Sequence, residues 1–496
     1  MLTLRELRLA RARKGKGKKL GFLRNTILAA SITMLTVSLV AAEESQTAHV
    51  LIKNVRIFDG NSDTVSEAQD VLVEGNLIKQ IGNGLTAGDN AIVIDGTGRT
   101  MTPGFIDMHQ HLMLGGPSGL FSTGEDIDFA TAGAIAAQNM YAHLLMKGIT
   151  TVRDIGGNSL GLAKGVRMGW MTGPRIYSAG PPIGPLGGHG DVGGWNQHLG
   201  PDESVLMGNL ATTSTVDEVI KQARWNFRKG AAFLKVMPGG GVSTEFDPLE
   251  VISLTFDEMK AAVAIAEDNK TYVAAHAYRD DAVNRAIDAG VKVIEHNFLV
   301  SEETIKRMAE EDIILSLQGY MAGVAFANPE SVPWYTPEQI RKAKSVHTGT
   351  LQMVKWAREH DVFIVSGSDM FAEQWPITKK NITIEVELFE FTPIEALRHA
   401  TGNAGIVLEM SGPARNPYRE GPLGVIKEGA YADILLWSND PTKDIKIIED
   451  EDKLQLIMKD GELYKNTTVP HSDPTYRPAP EMRVTPSNAG RGRTAL

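Results

Sequence analysis

Two histidines lie one residue apart at the end of an apolar stretch, in FIDMHQH at residues 105–111. Because side chains alternate between the two faces of a strand, His109 and His111 would point to the same side. Two imidazoles on one face can bind one divalent metal ion. A His-x-His pair also occurs by chance, so a metal site requires further ligands from elsewhere in the chain.

Further side chains with metal-binding or acid-base chemistry come at the ends of apolar stretches. His276 lies near the end of YVAAHAY, His296 in VIEHN and Asp369 in FIVSGSDM. Each alone has an ordinary structural alternative, as a hydrogen-bonded core histidine or a helix-capping aspartate. Together they predict a cluster, because each would lie at the same end of a different strand.

Lys235 lies inside the apolar stretch AAFLKVM, at residues 231–237. Burial lowers the pKa of a lysine and leaves a free, nucleophilic amine. Such an amine can add carbon dioxide to give a carbamate, whose two oxygens can bridge two metal ions. The alternative is a lysine whose ammonium reaches solvent at the rim of the fold.

Short apolar strands that alternate with helical patterns would position these residues. Eight candidates lie between residues 104 and 404, at 104–109, 149–156, 175–180, 231–237, 271–277, 291–297, 313–319 and 361–369. This pattern predicts an α/β fold, a (β/α)8 TIM-like barrel in which the carboxyl ends of all strands meet at one mouth. A doubly wound open sheet is the alternative, because strand order is not visible in a sequence.

The segments that flank this repeat have a different pattern of apolar and polar residues. Residues 48–103 and 405–465 alternate apolar and polar residues between glycine-rich turns, and predict one small composite β-sandwich domain formed by the N- and C-terminal flanks. Residues 466–496 are rich in proline, arginine and glycine and predict an extended or disordered tail.

Residues 1–42 combine a basic start with an apolar run, Thr26 to Ala42, that ends in small residues. This is typical of a signal peptide and predicts a secreted or periplasmic protein without a stable membrane span once it is removed. An uncleaved membrane anchor is the alternative. Removal would change the formal net charge from −10 to −18, because the segment holds nine bases and one acid. Such acidity argues against nucleic-acid binding.

The chain has no cysteine, so disulfides, thiolate metal ligands and a cysteine nucleophile are excluded. The motifs GFIDMHQH, TTVRD, the buried lysine, AAHAY, VIEHN and SGSD, in that order, resemble the amidohydrolase superfamily of metal-dependent hydrolases. Within it, the sequence is similar to the imidazolonepropionase-related group, which includes Xaa-Pro dipeptidases and ochratoxin-hydrolysing amidases.

This resemblance implies two divalent metal ions, for which zinc is the best match and manganese or iron are alternatives. The implied metal ligands are His109, His111, Lys235 with a CO2-derived carbamate, His276, His296 and Asp369. Asp369 would also be catalytic, passing a proton from the attacking water to the leaving nitrogen. Relatives assemble as homo-oligomers, and the same is expected here.

The loop GPLGGHGDVGGW at residues 184–195 and the HAY motif suggest a substrate site. His189 resembles the catalytic and substrate-binding histidine that these enzymes aim at the scissile carbonyl. Tyr278 resembles the residue that holds the substrate α-carboxylate. Arg153, in TTVRD, is expected to form a salt bridge in the barrel mouth, with Asp154 or a neighbouring loop.

The implied function is hydrolysis of amide or peptide bonds in dipeptides or N-acyl amino acids with a free C-terminal carboxylate. The enzyme would be a Xaa-Pro dipeptidase or carboxypeptidase-like hydrolase, or would hydrolyse the amide of ochratoxin A. A cyclic-amide hydrolase of the imidazolonepropionase type and a non-catalytic binding protein on the same scaffold are the alternatives.

Overall fold

The computed structural model describes residues 49–88, 90–114, 128–193, 196, 199–201, 203–244, 246–332 and 335–468. The predicted signal peptide at residues 1–42 lies outside the described residues, and so does the predicted tail from residue 469 onward. Among the described helices, none has the length and apolar character required to cross a membrane.

The described strands are β1 His49–Ile57, β2 Gln69–Glu74, β3 Leu77–Gly82, β4 Ile92–Asp95, β5 Thr100–Pro103, β6 Phe105–Gln110, β7 Ile149–Asp154, β8 Arg175–Ser178, β9 Ile183–Pro185, β10 Ala211–Thr213, β11 Leu234–Val236, β12 Val273–Arg279, β13 Val293–Leu299, β14 Ile314–Leu317, β15 Ile364–Ser366, β16 Ile434–Trp437, β17 Leu454–Lys459 and β18 Glu462–Asn466.

The described α-helices are α1 Phe129–Asn139, α2 Leu160–Arg167, α3 Glu203–Leu206, α4 Val216–Lys229, α5 Phe256–Asp268, α6 Asp280–Ala289, α7 Glu302–Glu310, α8 Gly319–Gly323, α9 Pro337–Glu359, α10 Lys380–Glu387, α11 Pro393–His399, α12 Gly402–Glu409 and α13 Gly412–Arg415. A π-helical turn at Met140–Leu144 and short 3-10 turns complete the helical segments.

The two ends of the described chain pair in one mixed sheet of eight strands. Its order is β18-β17-β16-β5-β1-β2-β3, and β4 pairs with β1. The central contact is between β5 and β16, which are antiparallel and bring the N- and C-terminal flanks together. Inward-facing side chains from both flanks, such as Ile52 and Leu436, share one apolar core.

The middle of the chain forms parallel sheets with helices between the strands, so the fold is α/β. One sheet has the order β10-β9-β11-β12-β13-β14-β15 and the other β6-β7-β8. The sheets adjoin where the Ala232 amide, just before β11, donates to the Ser178 carbonyl at 2.8 Å. At the other side, Gln110 forms a parallel bridge with Met370, so that the first and last of these strands lie side by side.

Capping residues and buried apolar faces account for the helices between the parallel strands. In α4 the Thr215 side chain accepts from the Glu218 amide, and Gly230 ends the helix at φ 101°, where a side chain would be strained. Val219, Ala223 and Phe227 form its buried face. Helix α12 spans the predicted boundary at residues 404/405 and packs against β6 and β15, so the chain leaves the parallel unit only after that helix.

A buried arginine joins the two units. Arg175 begins β8 and pairs with Asp433, just before β16, at 3.0 Å and with Asp460 at 2.7 Å. Its guanidinium lies 4.2 Å from the ring centroid of Tyr431. The mixed sheet is therefore attached at the amino end of the parallel strands, away from their carboxyl ends.

Candidate metal centre and active site

A cavity of about 470 Å³ lies at the carboxyl ends of the parallel strands. All eight site residues that the sequence predicts contribute to its lining, namely His109, His111, His189, Lys235, His276, Tyr278, His296 and Asp369. Apolar and aromatic side chains form much of the remaining wall, among them Met321, Phe326, Tyr335 and Phe371.

His109 on β6 and His111, just after it, meet the aspartate that follows β15. Nε2 of His109 lies 3.2 Å from Nε2 of His111. Oδ1 of Asp369 lies 3.2 Å from the first of these nitrogens and 3.3 Å from the second. Ligand atoms about 2.0–2.1 Å from a tetrahedral zinc would be about 3.3 Å apart. The three atoms therefore already have the spacing of a metal site.

Hydrogen bonds from the Nδ1 atoms of these histidines fix the orientation of the two rings. Nδ1 of His111 donates to the Gly156 carbonyl at 3.0 Å. Nδ1 of His109 donates to Glu295 at 2.8 Å, in a fully buried pair. Metal-binding histidines commonly donate the second ring N–H to an oxygen in this way. Both Nε2 atoms are thus directed toward Asp369 and the cavity.

His276 and His296 lie next to this cluster on neighbouring strands, with ring centroids 4.4 Å apart. Nε2 of His276 lies 3.2 Å from the Gly240 carbonyl oxygen and donates to it, which leaves Nδ1 free. Nδ1 of His296 is buried and has no hydrogen-bond partner. Burial holds the pKa of both imidazoles well below its usual value. Two neutral imidazoles with available nitrogens are suited to bind a cation.

The backbone at two of these positions is strained. His296 has φ 79° and Asp369 has φ 56°, in the left-handed region that non-glycine residues rarely adopt. Strain of this kind is found at functional sites, where the surrounding structure holds it. At His296 it turns the side chain out of the regular strand alternation and into the cavity.

Lys235 lies on β11 and lines the same cavity. Burial lowers the pKa of its amine to about 8, against the opposing effect of the Glu295 and Asp369 carboxylates. About a tenth of the amine is therefore unprotonated at pH 7, far more than for an ordinary lysine. The nitrogen, imidazole and carboxylate groups on this wall match the ligands of divalent metals such as zinc.

His189 and Tyr278 complete the wall around His276. The His189 ring stacks on that of His276 at 3.9 Å, and its Nδ1 lies 2.8 Å from Oδ2 of Asp247. The Tyr278 ring stacks on that of His296 at 5.0 Å. Burial raises the pKa of Tyr278 well above its usual value, so its hydroxyl stays protonated.

Arg153 lies beneath the site and forms a salt bridge, but with Glu295 and not with Asp154. Its Nη2 atom lies 2.6 Å from Oε1 of Glu295, and its Nε donates to the Met108 carbonyl. Asp154 is the next residue on β7 and therefore faces the other side, where it accepts from the Leu112 amide at 2.6 Å. The partner is thus Glu295, on a different strand.

Three charged residues next to the site were not singled out in the sequence: Glu295, Asp247 and Lys342. Glu295 precedes His296 in VIEHN, and a carboxylate within an apolar strand was the signal available for it. Asp247 lies in a loop and Lys342 in a long amphipathic helix. The sequence pattern around Asp247 and Lys342 is the same as that around an ordinary charged residue on the surface.

Comparisons with known proteins identify the family of this chain. The model of the amidohydrolase family matches residues 100–464. The ochratoxinase of Aspergillus niger is 28% identical over 383 residues, which are 74% of this chain and 75% of that protein.

Two solved structures are similar over 84% of this chain and 100% of theirs. A prolidase in complex with N-methylphosphonate-L-proline superposes with a TM-score of 0.76 at 28% identity. A Xaa-Pro dipeptidase with methionine bound in its active site gives a TM-score of 0.73 at 27% identity. The family match covers well over half of the chain, so this protein belongs to the amidohydrolase family and is a hydrolase of amide bonds.

Proposed function

We propose that the two parallel sheets together form a (β/α)8 barrel whose mouth holds two divalent metal ions, most suitably zinc. His109, His111 and Asp369 would hold one ion and His276 and His296 the other, with carbamylated Lys235 between them. Once bound, such paired cations supply a nucleophile at neutral pH by acidifying water, and they polarise a carbonyl. The convergence of Nε2 of His109, Nε2 of His111 and Oδ1 of Asp369 within 3.3 Å is the observation that carries this proposal.

The substrates would be dipeptides or N-acyl amino acids with a free C-terminal carboxylate, as for a Xaa-Pro dipeptidase, a carboxypeptidase-like enzyme or an ochratoxin A amidase. The names of the similar proteins and the apolar wall formed by Met321, Phe326 and Phe371 support an apolar or aromatic group next to the scissile bond. The Tyr278 hydroxyl, which stays protonated, would donate a hydrogen bond to the carboxylate.

The chain's own residues have distinct roles in this proposal. His109 and His111 hold the pKa of the Asp369 carboxyl well below its usual value, although burial alone would raise it. Asp369 is therefore ionised before the reaction and would accept the proton of the attacking water and deliver it to the leaving nitrogen. His189, which lines the same cavity, would face the scissile carbonyl.

Metal analysis and a substrate screen test the proposal together. Purified protein should carry about two zinc ions per chain after zinc loading. It should then hydrolyse members of a library of dipeptides, N-acyl amino acids and ochratoxin A. His276→Ala and Asp369→Asn should abolish turnover. His360→Ala should not, because His360 pairs with Glu302 outside the cavity.

The same screen separates the alternatives. Turnover of cyclic amides alone would favour an imidazolonepropionase-like hydrolase. No bound metal and no turnover would favour a binding protein on this scaffold. Full turnover by either site variant would contradict the proposed centre.

Secretion or periplasmic location and assembly as a homo-oligomer remain proposals. Expression of the full chain with a C-terminal tag, followed by N-terminal sequencing of the exported protein, tests cleavage near residue 42. Light scattering of the purified protein tests oligomerisation.

A further inference from the structure

A buried lysine outside the cavity wall organises the loop that follows β11. Lys342 lies on α9 with a fully buried side chain. Its Nζ atom is within hydrogen-bond distance of three backbone carbonyls, those of Gly241 at 3.0 Å, Thr244 at 2.9 Å and Asp247 at 2.7 Å. Because an unpaired buried ammonium is costly, the loop folds around this charge in one defined conformation.

The same ammonium pairs with the Asp247 side chain. Nζ of Lys342 lies 3.1 Å from Oδ1 of Asp247, while Oδ2 of Asp247 accepts from the Gly241 amide at 2.8 Å. Each oxygen of the Asp247 carboxylate is therefore held by a partner within the protein. Burial would raise the pKa of Asp247, but His189, Thr244 and Lys342 outweigh this effect and keep it lowered. Asp247 is thus an ionised, oriented acceptor.

Oδ2 of this carboxylate also reaches the active-site wall. It lies 2.8 Å from Nδ1 of His189, and Oγ1 of Thr244 lies 2.9 Å from the same nitrogen. An ionised carboxylate only accepts, so Nδ1 of His189 carries the proton. The remaining ring nitrogen, Nε2, is then the one available to a molecule in the cavity.

Packing also restricts the His189 ring. One face stacks on His276 with an interplanar angle of 15°. Gly241 approaches the ring so closely that a Cβ at this position would collide with it. The ring therefore cannot turn without displacing the loop that Lys342 holds.

We propose that Lys342 and Asp247 are positioning residues that fix the orientation of His189 through its Nδ1–H, so that Nε2 faces the substrate. Lys342 holds the loop and Asp247, and Asp247 holds Nδ1–H of His189. This inference rests on the proposed amide hydrolysis. It links helix α9 to His189 through the ion pair of Lys342 with Asp247.

Kinetics of single and double variants test the proposal in the zinc-loaded enzyme. His189→Gln should lower kcat by about a hundredfold or more, as loss of a correctly oriented group next to the reacting bond does. Asp247→Asn should lower kcat by a similar factor with little change in KM, because a neutral amide is a weaker acceptor for Nδ1–H than a carboxylate and no longer holds the ring firmly. In the His189→Gln background, Asp247→Asn should cost less than about a further twofold, since residues that act as one unit are not additive.

Lys342→Met should follow the same pattern, and Lys344→Met is its control. Lys344 lies on the same helix, is exposed and pairs with Glu330, so its loss should leave kcat unchanged. If Asp247→Asn lowers kcat by the same factor with and without His189, or only raises KM, the positioning role is overturned.

A second readout does not depend on turnover and covers the case in which a variant fails to fold. In protein labelled with 15N-histidine, the His189 signals are those missing from His189→Gln. Wild type should show a protonated Nδ1 at His189, and protonation at Nε2 instead would overturn the proposal. A protonated Nδ1 in a protein that hydrolyses no tested amide would support the positioning and contradict the proposed function.

Discussion

Glu295 accepts a hydrogen bond from Nδ1 of His109 at 2.8 Å, and solvent reaches neither side chain. Its other oxygen lies 2.6 Å from Arg153. Burial would raise the pKa of Glu295, but Arg153 and His109 outweigh it and hold the pKa well below its usual value. An ionised carboxylate behind His109 strengthens the imidazole as a metal ligand and fixes its tautomer.

Glu295→Gln should therefore weaken zinc binding by about ten- to a hundredfold. Competition with a chromogenic chelator measures the affinity. Glu302→Gln is the control, because Glu302 is half-exposed and pairs with Lys306 and His360 away from the cavity. Equal zinc affinities of wild type and Glu295→Gln would show that the carboxylate does not support the site.

Lys235→Ala should reduce the metal content from about two ions to about one or fewer and abolish turnover, because the proposed bridging carbamate cannot form. Acetate or propionate should restore part of the activity by entering the vacated space. Lys221→Ala, on the exposed side of α4, should retain full metal content. Two ions and normal turnover in Lys235→Ala would rule out a bridging role.

Tyr278→Phe should raise KM by about tenfold for substrates with a free carboxylate, since a hydrogen bond to a charged group contributes about 1.5–3 kcal/mol. The matched carboxamide substrates should be affected much less. Steady-state kinetics on both series measures the difference. An equal change for carboxylate and carboxamide substrates would remove Tyr278 from carboxylate recognition.

Arg175→Met should lower the free energy of unfolding by about 3–5 kcal/mol, because it leaves Asp433 buried without its cation. Denaturant titration measures this loss. Arg341→Met should change stability by less than about 0.5 kcal/mol, since Arg341 is exposed. Comparable stability of the two variants would mean that the buried pair does not hold the sheets together.

The stabilising effect of Asp247 should depend on pH. Its pKa is lowered in the folded protein, so its contribution is present above the unfolded value of about 3.9 and is lost as pH falls through the lower folded value. Asp247→Asn should therefore be less stable than wild type at pH 7, and the difference should shrink on acidification below pH ~4. Urea unfolding at several pH values measures it, and a difference that grows in acid would contradict the assignment.

The convergence of the proposed ligand residues could be predicted, because strand alternation and the positions of strand ends are visible in the sequence. His109 and His111 share a face, as alternation predicts, and their Nε2 atoms meet. The pairing of the two flanks in one sheet could likewise be expected, because both flanks show the same alternation of apolar and polar residues. These features depend on local pattern, which a single sequence carries.

Glu295 could not be predicted as a partner of His109, because the left-handed φ of His296 interrupts strand alternation where the rule would have been applied. The Lys342–Asp247 pair joins residues that are 95 positions apart. Nothing in an amphipathic helix distinguishes a buried ammonium from one in solvent. Such contacts depend on how loops pack over the strand ends, and this is decided by the tertiary fold.

The neighbouring position of the first and last parallel strands has a consequence for biosynthesis. A span of 258 residues separates Gln110 from Ser368, whose side chains are hydrogen-bonded. On the ribosome, the imidazoles of His109 and His111 therefore emerge long before Asp369, which they meet. In a nascent chain the proposed metal centre thus has an incomplete ligand set until the final third of the polypeptide has been made.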